Sequence, residues 1–129
     1  MATLSETISN IRVKNAEALA SYKKHKESLA LDLPDISDED ENNTVRGRVK
    51  YLLEAKVISE VYSEFVSNLD AFGFDGAVDQ LSQHLVYFGI AASVPNIDVF
   101  QNGIHQLTLR TLAEITHFIQ TTDHQTIDD

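Results

Sequence analysis

The chain has 129 residues, 43% of them hydrophobic and 23% charged, so one globular domain with no separate catalytic module is expected. It contains no Cys, so disulfides, thiolate metal sites and a Cys nucleophile are excluded. The net charge of −10 is uneven, with segments 1–31, 32–43, 44–70 and 71–129 carrying +2, −6, 0 and −6.

Five Gly and two Pro are too few to punctuate many short strands, and apolar residues recur three and four apart. The expected fold is therefore all-α: a small bundle of about four helices, with a semi-independent N-terminal helix and a long central helix over 44–69. The corresponding division is an amphipathic helix in 1–31, an acidic linker or helix start in 32–43, a helical core in 44–120 and an acidic tail in 121–129. No window approaches the ~20 apolar residues of a membrane span, and the first residues lack a signal-peptide run, so a soluble cytoplasmic protein is expected.

The first predicted helix covers 5–29 and opens with a capping box, Thr3 and Glu6 standing three apart. Leu4, Ile8, Ile11, Ala18, Leu19, Tyr22 and Leu29 form its apolar stripe, with Asn15 and Lys26 interrupting it. It is also the basic element of the chain, through Arg12, Lys14, Lys23, Lys24 and Lys26. Pro34 breaks the chain, and Ser37 caps a following turn in which Asp38, Glu39, Asp40 and Glu41 suit the positive end of a helix dipole. The sharper reading of that acidic run is a phosphorylation site at Ser37 or a tag for a basic partner.

In the central helix Val45, Val49, Leu52 and Leu53 lie on one side. Val57, Ile58, Val61, Tyr62, Phe65, Val66 and Leu69 gather about half a turn round. An apolar face that swings in this way predicts a kink or different neighbours at the two ends, and points to Val57, Val61 and Phe65 as a contact for a second copy. The turn Phe72-Gly73-Phe74-Asp75-Gly76 places two glycines where the backbone bends and two aromatics toward the core. A third helix follows over 75–88, stopped by Gly89, and a fourth over 96–120 with Ile104, Leu107, Thr111, Ile115 and Phe118 inward.

Catalytic chemistry is sparse. Glu114-Ile115-Thr116-His117 has the spacing of di-iron bundles, but Glu114 and His117 lie about 80° and 140° from the inner face, and no second Glu-x-x-His step exists. His84 and His105 flank their apolar stripes and read as half-buried histidines bonded to a neighbour. Their convergence with a carboxylate would instead mark an active site. No cofactor or metal is expected.

Arg46, Arg48 and Lys50 make a short basic cluster beside Tyr51. The expected function is thus a non-enzymatic protein-protein interaction or oligomerisation module, of a size suited to a microbial or phage-encoded regulator. Its expected partners are a second copy and another protein with a basic surface. The alternatives are an acidic nucleic-acid mimic and, less favoured, a DNA-handling oligomer using its basic N-terminal segment.

Overall fold

Three helices build the protein in a computed structural model that describes residues 2–32, 41–93 and 99–122, with side chains described over 2–28, 49–91 and 102–122. They are α1 (Leu4–Asp32), α2 (Glu41–Ser93) and α3 (Val99–Gln120). The all-α expectation holds, with three helices rather than about four.

The predicted capping box starts α1. The Glu6 amide donates to Thr3 Oγ1 at 3.2 Å, and the Thr3 amide donates back to Glu6 Oε1 at 3.4 Å, so two donors at the helix start are satisfied. Downstream, Thr7, Ile11 and Ala18 are buried and Asn15, Tyr22 and His25 half-buried, a spacing of three and four that keeps one face inward. Leu19 was expected on this face but is exposed, because it lies about 80° from the Ile11 direction.

α1 is docked, not semi-independent. Its Arg12 pairs with Asp70 of α2 at 2.6 Å, Ser63 of α2 donates to Asn15 Oδ1 at 2.8 Å, and His25 stacks on Tyr51 with centroids 6.1 Å apart. Partner numbers fall as α1 advances, so the two helices run antiparallel. The polar residues that weakened the stripe in sequence are the ones that α2 satisfies, and an inward Asn with a bonded partner costs little.

As a straight rod the 53 residues of α2 would extend about 80 Å. Instead His84 Nε2 lies 3.4 Å from Glu64 Oε1, although these residues would stand about 30 Å apart along a straight helix. The helix folds back on itself at Gly73, whose φ of 79° and ψ of 179° leave the helical region for one that an L side chain rarely adopts. Because one residue makes the turn, the predicted helices over 44–69 and 75–88 are two arms of one element. Gly89 does not stop the second arm, which continues to Ser93.

Gly76 serves the same turn, since a Cβ there would sit 2.5 Å from Phe72 Cβ. Of the two aromatics expected inward, Phe74 packs on the core and Phe72 is 65% exposed.

The first arm of α2 is surrounded. Ala55, Val57, Ser59, Val61, Tyr62, Phe65 and Leu69 are all buried, spread about 200° round its axis. α1, α3 and the second arm each cover part of it, which explains the swing of its apolar face. Ala77 and Leu81 of the second arm and Leu107, Leu112 and Ile115 of α3 complete the core.

At the end of α3, Thr122 is buried and its hydroxyl meets that of Thr7. Thr122 also bridges to Ala2, tying the two ends of the described fold together. Among the described residues, no helix is long and apolar enough to cross a membrane.

Candidate functional site

A cleft of about 210 Å³ opens where the two arms of α2 meet α3. The first arm lines it with Val57, Glu60, Val61, Glu64, Phe65 and Asn68, residues spaced three and four apart and hence on one face. Leu81, His84 and Phe88 come from the second arm, and Ile104, His105, Thr108 and Leu112 from α3. The reversal at Gly73 makes the site, because it brings positions 57–68 opposite positions 81–88.

Floor and mouth differ in chemistry. Val61, Phe65, Leu81 and Leu112 are buried and form an apolar floor. At the mouth, the side chains of Glu60 and Glu64 are 65% and 58% exposed, and His84 holds Glu64 in a contact that becomes an ion pair when the imidazole is protonated. The His105 ring tilts against Phe88 with centroids 5.7 Å apart.

His84 and His105, which flank separate helices in the sequence, therefore share one cleft with two carboxylates. Such groups can hold or move a proton. The hydroxyl of the lining, Thr108 Oγ1, donates to the Ile104 carbonyl at 2.8 Å and so belongs to the backbone of α3. Among the described residues, no group of three or more His, Asp or Glu side chains is arranged to hold a metal ion.

On another face of the first arm, the buried Tyr62 donates its phenol to Glu114. Burial, then the hydrogen bond and the negative charge of Glu114, and last the charge of Glu17 hold the phenol far above its ordinary pKa, so Tyr62 stays a neutral donor. The Glu114 of the Glu-x-x-His step thus joins α3 to α2, while His117 is exposed as expected.

Compared with known proteins, the chain matches no family model, no curated protein and no solved structure. Its site must be read from its own residues.

Asp38, Glu39 and Asp40 lie outside the described residues, as do the side chains of Glu41, Arg46 and Arg48. Lys50 is exposed. Val57, Val61 and Phe65 were expected to meet a second copy, but they are only 9%, 9% and 4% exposed within the single chain. The sequence supplied the apolar face correctly but not the neighbour that covers it.

A feature that sequence reasoning missed lies on the second arm of α2. Val86, Tyr87 and Ile90 are each more than 60% exposed, and Ile90 points about 180° away from the buried Leu81. The signal was present: positions 80–97 contain no Asp, Glu, Lys or Arg. Only the face that sees Leu81 and Phe88 is needed for the core, so the opposite apolar residues are surplus to it.

Proposed function

We propose that the protein is a helical interaction module that self-associates through the outer face of the second arm of α2. The observation that carries this reading is the exposure of Val86, Tyr87 and Ile90 on one helix face, within a stretch, 80–97, that holds no Asp, Glu, Lys or Arg. Contiguous exposed apolar groups of this kind favour burial against another surface. Two copies related by a two-fold axis would each offer the same patch, the geometry of most homodimers.

Charge supports a second copy as the occupant. The described side chains hold ten carboxylates and eight bases, a net of −2 against −10 for the whole chain. Two such helical bodies repel one another weakly, and least of all where both contacting faces lack charge. The same distribution weighs against mimicry of nucleic acid by the described helical body, because its side chains carry a net charge of only −2.

The absence of Cys gives a clean test. Of three single variants, Val86→Cys, Tyr87→Cys and Ile90→Cys, the one at the two-fold axis should yield a disulfide-linked dimer on mild oxidation, since only positions at the axis meet their own copies. Val13→Cys, on the outer face of α1, should remain monomeric under the same conditions. Cross-linking at all three positions no stronger than at Val13 would mean random collision and would remove the proposal.

A further inference from the structure

We propose that the cleft between the arms of α2 and α3 is a binding site for a small aromatic amine, a molecule with one ring and an ammonium on a short alkyl stem. Size sets the first limit. An apolar cavity of about 150 Å³ suffices for benzene, and the 210 Å³ present here adds room for a short substituent.

The floor selects the ring. Val61, Phe65, Leu81 and Leu112 are buried, and Phe88 and Ile104 close the sides, so a ring entering the cleft exchanges water for apolar and aromatic contacts.

The mouth selects the charge. Glu60 and Glu64 stand one helical turn apart on the same face, and the lining contains no Lys or Arg. Lys56 contacts Glu60 at 3.8 Å from outside the lining, with its own side chain 52% exposed. That exposed pair holds Glu60 weakly and leaves it able to exchange partners. An ammonium at the mouth meets two carboxylates, whereas a carboxylate or phosphate there would be repelled. His84 and His105 are the other titratable groups facing the site. His84 orients Glu64, and His105 backs Phe88.

A ligand placed this way has its apolar part inside and its cation at the rim, which is the division of labour usual in small-molecule pockets. The contact with Glu64 also brings the ligand beside His84.

The experiment is an NMR titration of the full chain at low salt with three probes of equal ring size: benzylammonium, benzyl alcohol and benzoate. Benzylammonium should bind tightest, benzyl alcohol more weakly and benzoate least, with saturable shifts centred on Phe65, Ile104 and Leu112. The Glu60→Gln and Glu64→Gln changes are at exposed side chains and should leave the fold intact. Each should weaken benzylammonium about fivefold, the scale of a partly exposed ion pair, and leave benzyl alcohol unchanged. Ile104→Phe should fill the cleft and abolish binding of all three. No saturable shift with any probe, equal affinity for the three, or a glutamate change that weakens amine and alcohol alike would overturn the proposal.

Discussion

The two arms of α2 have similar apolar content and opposite fates. The first arm is buried about most of its circumference because three neighbours surround it. The second buries Ala77 and Leu81 but leaves Val86, Tyr87 and Ile90 in solvent. Hydrophobicity alone marks both arms as core. The difference comes from the reversal at Gly73, which places the first arm in the middle of the bundle and the second at its edge, and it separates residues that hold the fold from residues that stay exposed.

Core substitutions offer the strongest way to break this contrast. Phe65→Ala should destabilise the protein by about 3–5 kcal/mol through loss of burial and an unfilled cavity. Val86→Ala should change monomer stability by no more than about 0.5 kcal/mol, as surface changes usually do. Urea denaturation at a concentration low enough to prevent association compares them. Similar losses at both positions would mean that the second arm is also core.

The turn is the next point of attack. Gly73→Ala should cost about 1–3 kcal/mol, because a Cβ is strained at the observed dihedrals. Gly76→Ala should cost a similar ~1–3 kcal/mol by forcing its Cβ against Phe72. Both should lower the thermal midpoint and disturb the His84 and Glu64 resonances, since the turn sets their meeting. A stable Gly73→Ala protein with an unchanged cleft would show that the reversal does not depend on this residue.

Tyr62→Phe probes how the central arm is tied to α3. Loss of the hydrogen bond to Glu114 should cost about 1–2 kcal/mol, at the lower end for a bond to a charged group because the carboxylate meets solvent. The pH dependence has a definite sign. The folded state retains the Tyr62 proton that an unfolded chain releases near pH ~10, so this stability is complete below that pH and is lost as pH rises above it. The fall in urea midpoint at alkaline pH should be shallower in Tyr62→Phe. The smallest effect belongs to Arg12→Ala, which removes an exposed pair with Asp70 and should cost at most ~1 kcal/mol, less at high salt.

Local features of the sequence carried much of this fold. The capping box at Thr3 and Glu6, the inward face of α3 and the position of the turn follow from short-range spacing and side-chain chemistry. Features that depend on a neighbour did not. Leu19 and Phe72 are apolar but face away from any partner helix, and Val57, Val61 and Phe65 resemble an interface until the second arm and α3 are set against them.

The cleft was only half legible. Helical periodicity placed His84 and His105 at the margins of their stripes, but their sharing of one cleft with Glu64 depends on how α3 packs on a helix folded at Gly73. The exposed patch was readable in principle, since an amphipathic surface helix should carry charge opposite its core face and the stretch 80–97 carries none.

The most direct test of self-association is mass in solution by light scattering behind a sizing column, at low and high salt, for the wild-type chain and a Val86→Asp, Tyr87→Asp double variant. The account predicts a wild-type dimer that survives high salt, because its contact is apolar, and a folded monomer when two charges are placed on each face. A wild-type monomer at every concentration, or a dimer that the double variant leaves intact, would contradict it.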